Sequence, residues 1–148
     1  MKIEQDPSDF RRMIIESPGQ FEEGFRIADG IRFPEHTGIT SLAISGMGGS
    51  ALPANIFRIY LSDLAHRGLL KERISIYQNR FYDLPWEAKQ SLNIFASYSG
   101  NTEETIESFE SAIREKLPSI GMSSGGKVEE LCRENGIPHV KLPIPFEN

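Results

Sequence analysis

Three short runs in this chain set glycines beside small hydroxyl residues where a strand-like run gives way to a helix-like one. They are Gly46-Met47-Gly48-Gly49-Ser50, Ser97-Tyr98-Ser99-Gly100-Asn101-Thr102 and Ser123-Ser124-Gly125-Gly126. Glycine lets the backbone turn sharply and lets a ligand come close to the main chain. The open N–H groups at a helix start, the helix dipole and convergent hydroxyls together hold an oxyanion without lysine or arginine. In the second run Ser97, Ser99 and Thr102 supply three hydroxyls, Gly100 permits a backbone cradle, and Asn101 stands at the start of the helix. In the first run Gly48 and Gly49 bring the main chain to the ligand and Ser50 adds a hydroxyl. The chemistry expected of such loops is capture of a phosphate group on a small molecule.

Plainer explanations cover part of this pattern. Asn101 as an N-cap, with Glu104 reaching back as a capping box, would account for those two residues and leave the Ser97-x-Ser99-Gly100 run unexplained. Gly46, Gly48 and Ala51 also satisfy the dinucleotide fingerprint G-x-G-x-x-G/A. That fingerprint expects a carboxylate at the end of the next strand, where this chain reads Gln78-Asn79-Arg80 and has no acid before Asp83. A near-match to the nucleotide P-loop runs from Gly121 to Lys127, but Val128 stands where the magnesium-binding hydroxyl belongs, and we read it as accidental.

The elements that must position these loops follow from periodicity. Residues 7–33 read as helices, with Ser8 or Asp9 as a cap and Pro18 in the first turn of the second helix. From residue 40 short apolar runs at 40–45, 73–78, 92–99, 119–124 and 139–143 alternate with longer amphipathic ones. Ile106, Phe109 and Ile113 fall on one face of the run after the second loop, and Gly136 is placed to end the last helix. Alternating strands and helices predict an α/β fold, a doubly wound parallel sheet of about five strands with helices on both faces. Residues 1–35 read as a helical lead-in packed on a single domain spanning 36–148. Ligands of such sheets bind beyond the carboxyl ends of the strands, which is where all three glycine runs fall.

The bulk numbers bound the function. With 148 residues, 39% hydrophobic and 25% charged, the chain is ordinary for one globular domain. A net charge of −5 with mixed signs argues against a nucleic-acid or anionic-membrane surface. An anionic ligand must therefore be held by local donors against the overall field. The single cysteine, Cys132, sits in a helical run as a small apolar residue and fits a reducing, cytoplasmic compartment. No apolar stretch reaches the ~20 residues of a membrane span, and the first residues carry no apolar signal region. His36, His66 and His139 read as surface or packing residues, His139 at the edge opposite the loops. Glu103 and Glu104, in a first helical turn, favour the dipole. No catalytic residue is assigned.

GMGGSA at 46–51, SYSGNTEET at 97–105 and SSGG at 123–126 together resemble the SIS (sugar isomerase) domain family. The likeness is greatest to the first domain of its bifunctional phosphoglucose/phosphomannose isomerase branch, and it extends through the lead-in with Pro18 and Gln20. The resemblance implies that Ser97, Ser99 and Thr102 grip a sugar phosphate, helped by the backbone of Gly100 and Asn101, while Gly48, Gly49 and Ser50 face the sugar. It further implies aldose–ketose isomerisation of glucose 6-phosphate or mannose 6-phosphate to fructose 6-phosphate without metal or cofactor. A homodimer, or association with a second SIS domain, is implied as well. Members of that branch are about twice as long, take their catalytic glutamate and histidine from the second domain, and place an arginine after the last strand. This chain instead ends LPIPFEN. The two expectations are an isomerase, or its substrate-binding N-terminal half, and a non-catalytic phosphosugar-binding module that senses its ligand. A nucleotide-dependent oxidoreductase fragment is a distant third.

Overall fold

The computed structural model describes residues 9–32, 39–70 and 73–144. They fall into two units, one ending at Arg32 and one following it. The first holds α1 (Phe10–Glu16) and α2 (Gly19–Asp29). Asp9 precedes α1 with φ 49° and makes no side-chain cap, so the expected Asp9 cap is not formed, and Ser8 lies outside the described residues. Pro18 stands one residue before α2 rather than within its first turn.

The second unit is built by strict alternation. It runs β1 (Ser41–Gly46), a 3₁₀ turn (Gly48–Ala51), α3 (Leu52–His66), β2 (Ser75–Asn79), a 3₁₀ turn (Trp86–Gln90), β3 (Leu92–Ala96), α4 (Glu103–Arg114), β4 (Ser119–Ser123), α5 (Gly126–Asn135) and β5 (His139–Lys141). All strands pair in parallel, in the order β2-β1-β3-β4-β5. The expected five-stranded parallel α/β sheet is the one observed. β3 stops at Ala96, short of the expected end at 99, because the Ser97 carbonyl accepts from the Gly100 N–H and folds the chain into a turn. β5 ends at Lys141, before Pro143, which has no N–H for a ladder.

Period-two alternation along the strands divides the core between the two sheet faces. Ile44 of β1 and Ile76 of β2 cluster with Ala54 and Leu61 of α3, and Ile94 of β3 packs against them. The next residue, Phe95, joins Phe109 and Ala112 of α4 and Val128, Leu131 and Cys132 of α5. One face is thus covered by α3 and the other by α4 and α5. The Phe95 and Phe109 rings stack at 4.5 Å between centroids, both fully buried. Gly121 lies inside β4, where a Cβ would fall on the Cys132 sulfur. Its role is to admit α5 against the sheet, which removes the basis for a P-loop there.

The β2–β3 link crosses beside β1 without a long helix and is held by buried amides instead. Asn93 Nδ2 donates to the carbonyls of Ala88, Ser91 and Pro118 at 2.9–3.1 Å. Phe109→Ala removes the largest α4 contact with β3 and is expected to cost about 3–5 kcal/mol. Urea unfolding followed by circular dichroism reads this directly, and an unchanged midpoint would contradict the assigned core.

Candidate functional site

The chain leaves β1 for β2 in one direction along the sheet and leaves β3 for β4 in the other, although β1 and β3 are neighbours. This reversal opens a crevice at the carboxyl ends of β1 and β3, the usual ligand position in such sheets. The first glycine run follows β1, the second follows β3, and the third follows β4 one strand further on.

The second run is folded around Ser97. This residue is buried, and its Oγ accepts from the N–H groups of Gly100 at 3.1 Å and Thr102 at 3.4 Å, and shares a hydrogen bond with Thr102 Oγ1 at 2.8 Å. Ser97 therefore shapes the turn, while Ser99 is exposed and Thr102 half-buried at its rim. Ser99 Oγ accepts from the Asn101 N–H at 3.2 Å. The residue at the N-cap of α4 is Thr102, in extended conformation, and no side chain caps the helix. The expected Asn101–Glu104 capping box is thus not formed, because the Asn101 Oδ1 is taken by the N–H of Lys127 at 3.0 Å. The first-turn N–H groups of α4 are left for an external acceptor.

Gly100 has φ +72°, and a Cβ there would fall on the Gly125 carbonyl oxygen. The second and third loops are pressed together at this point. Four hydrogen bonds lace them: the Ser124 N–H and Oγ both donate to the Tyr98 carbonyl, the Val128 N–H to that of Gly100, and the Lys127 N–H to Asn101. Where β1 and β3 lead into the first and second loops the strands also approach closely, since a Cβ on Gly46 would lie 2.8 Å from the Ala96 carbonyl oxygen. Gly48 and Gly49 are exposed and Ser50 half-buried, with nothing near the Cα of either glycine.

The histidines split. His36 lies outside the described residues, and His66 Nδ1 meets the Ser62 carbonyl on α3. His139 begins β5, but its ring reaches toward the third loop, with Nε2 2.8 Å from Ser123 Oγ. Desolvation lowers its pKa below the ordinary 6.5, with Glu129 opposing and Lys141 assisting. Cys132 is buried, which raises its thiol to about 11 and makes it inert packing. Among the described residues no group of three His, Cys, Asp or Glu is arranged to hold a metal ion.

Sequence reasoning missed the turn after β2. Asn79 is buried, and its Nδ2 donates to Ser45 Oγ, the Phe81 carbonyl and the Asp83 carbonyl, while its Oδ1 accepts from the Phe81 N–H. The end of β2, where a dinucleotide site would offer a carboxylate, is thus spent on holding a loop. That loop brings Arg80 and Phe81 beside Gly46 and Met47 of the first loop and beside Glu104 and Thr105 of α4. Glu104, with a smaller effect of burial and of Glu103, raises the pKa of Tyr82 in the same turn. The available signal was an asparagine closing a strand ahead of an aromatic-rich turn.

Two outcomes follow. Gly100→Ala is expected to destabilise the fold by several kcal/mol, from about 1–3 for the left-handed backbone and about 1–3 for the overlap with Gly125. Gly49→Ala, in open space, should stay within about 0.5 kcal/mol, and equal losses in urea unfolding would refute the interlock. Because the folded state holds His139 less protonated than the unfolded chain, its contribution is full above 6.5 and is lost as pH falls below that value. His139→Gln should flatten the stability profile in that window, and an unaltered profile would mean that burial does not hold the His139 ring neutral.

No protein-family model matches the chain. It is 31% identical over 132 residues to the bifunctional phosphoglucose/phosphomannose isomerase of Caldicellulosiruptor bescii, covering 88% of this chain and 37% of that protein. The enzyme of the same name from Aquifex aeolicus is 32% identical over 107 residues, covering 72% of this chain and 32% of that one. The D-glucosamine-6-phosphate 4-epimerase of Sulfolobus acidocaldarius is 29% identical over 107 residues, with 72% and 31% covered. The chain spans about a third of the length of the curated relatives it matches. The resemblance carried by the loop motifs is borne out in these relatives: along most of its length this chain is similar to about a third of a bifunctional phosphoglucose/phosphomannose isomerase.

Proposed function

We propose that this chain is the phosphosugar-binding portion of a sugar-phosphate aldose–ketose isomerase that interconverts glucose 6-phosphate or mannose 6-phosphate with fructose 6-phosphate. The observation that carries the reading is the uncapped N-terminus of α4, set at the crevice between β1 and β3 behind Ser99 and Thr102. Such an end offers N–H groups and a positive dipole to a phosphate without a buried lysine. Gly48, Gly49 and Ser50 follow β1 at the same edge of the sheet and would lie along the sugar. Because the chain carries a net charge of −5, capture depends on these short-range donors rather than on the protein's field.

Isomerisation moves a proton between C1 and C2 and needs a base and an acid. His66 and His139 are engaged elsewhere, on α3 and at Ser123. With His36 outside the described residues, we assign the proton-transfer groups to a second domain or a second copy of the chain, as the family resemblance implies. The same disposition of the histidines favours a second reading, a module that binds a phosphosugar without converting it.

Phosphorus NMR of fructose 6-phosphate with the purified chain separates these readings. Appearance of an aldose 6-phosphate resonance means that the chain assembles a complete site. Broadening without conversion means a binding portion only. Replacing both Ser97 and Ser99 by alanine is expected to weaken binding about tenfold or more, Ser99 by loss of a hydrogen bond to the charged group, about 1.5–3 kcal/mol, and Ser97 by loss of the turn that it holds. Unchanged affinity in that variant, with the fold intact, would remove the site.

A further inference from the structure

Helix α3 is apolar on two opposite faces. Toward the sheet, Ala54 and Leu61 are buried against Ile44 and Ile76, with Leu64 packed beside them. On the far side Leu52, Ile56 and Ile59 follow at spacings of four and three, with Tyr60 next to them, and all four are 54–72% exposed. A helix that covers a sheet ordinarily turns one apolar stripe inward and charge outward, as α4 does with Glu103, Glu107 and Arg114. Of its 15 residues α3 has only two of the types Asp, Glu, Lys or Arg, against five of 12 in α4 and five of 10 in α5, so its outer face is not built for water.

Neither of those two charges disturbs the stripe. Arg58 turns away from it, its Nη2 donating to the Ile76 carbonyl of β2 at 3.1 Å. Asp63 stands at the far end, four residues beyond Ile59, and is paired with Arg67 at 3.4 Å. A contiguous exposed apolar patch of this kind marks an interaction surface. At about 100 Å² of apolar area for each side chain, the four supply about half of the roughly 800 Å² that a standard interface takes from each partner. Asn55, His66 and the Asp63–Arg67 pair lie around them as the polar rim such an interface carries.

We propose that the outer face of α3 is where two copies of this chain meet, the two helices running antiparallel about a two-fold axis between Ile56 and Ile59. Charge selects the occupant. With −5 on each chain, copies repel one another through most of their surface, and a two-fold axis on the outer face of α4 would set glutamate against glutamate. A two-fold contact sets one patch against itself, and on α3 that brings no two carboxylates together. Ile56 of one copy meets Ile59 of the other. Asp63 comes to the Leu52 end of the opposite helix, where the positive end of the dipole receives it. Because α3 begins directly after the Gly48–Ala51 turn, the interface adjoins the first glycine loop. It stands on packing and charge alone, and its failure would leave the phosphosugar reading untouched.

Sedimentation equilibrium of the purified chain at micromolar concentration tests the interface. The wild type is expected at twice the mass of one chain. Ile56→Glu and Ile59→Lys should each weaken the dimer about a hundredfold or more, since either one buries two unpaired charges per dimer. An equimolar mixture of the two variants should recover the dimer, because the introduced carboxylate then faces the introduced ammonium. Both positions are more than half exposed in the single chain, so the variants keep the fold, and a thermal melt of each checks this. A monomeric wild type, or a dimer that persists in the folded variants, would overturn the interface. Loss of the fold in the variants would mean that the chain covers this face itself, and would overturn it as well. Variants that dissociate but do not recover on mixing would overturn the antiparallel pairing.

Discussion

The candidate site depends on a contact between two stretches of main chain with no room for a side chain. Gly100 sits against the Gly125 carbonyl, and Gly46 against that of Ala96. These approaches fix the loops after β1, β3 and β4 relative to one another at van der Waals distance. Hydrogen bonds then follow from proximity. Val128 donates to Gly100 and Lys127 to Asn101, so the start of α5 is satisfied by the loop that precedes α4. With Asn101 committed to α5, nothing caps α4, and its N-terminus stays open. The open helix end at the crevice is therefore a consequence of how the loops are welded.

The fold was legible because its signals are local and repeated. Each strand is short and apolar, each helix carries its stripe, and Gly136 ends α5 with φ 64° as its position suggests. The parallel arrangement follows from alternation alone. Strand order did not follow, since nothing local tells β3 to pair with β1 rather than with β2. The β2–β3 link owes its course to buried amides at Asn79 and Asn93, whose partners lie up to 34 residues away. Such pairings leave no periodic trace.

Within the site the legible part was which loops meet at the carboxyl edge. The division of labour inside each loop was not. Ser97, Ser99 and Thr102 look equivalent as letters, yet Ser97 is buried and bonds inward while Ser99 is exposed. The difference arises from the turn at Gly100, which folds the chain back over the first serine only. Asn101 looked like a helix cap because asparagine so often is one, and the competing donor that claims it belongs to a helix 26 residues on.

Charge draws these pieces together. An acidic chain that is to hold an anion must separate the donors that attract it from the carboxylates that repel it. The first turn of α4 carries two glutamates, which the dipole of the helix stabilises. Glu103 is exposed, whereas Glu104 turns toward the Asn79-pinned loop and meets the surroundings of Arg80 and Tyr82. The open N–H groups of the same turn adjoin Ser99 and Thr102 instead. One helix end thus presents donors to one side and a carboxylate to the other.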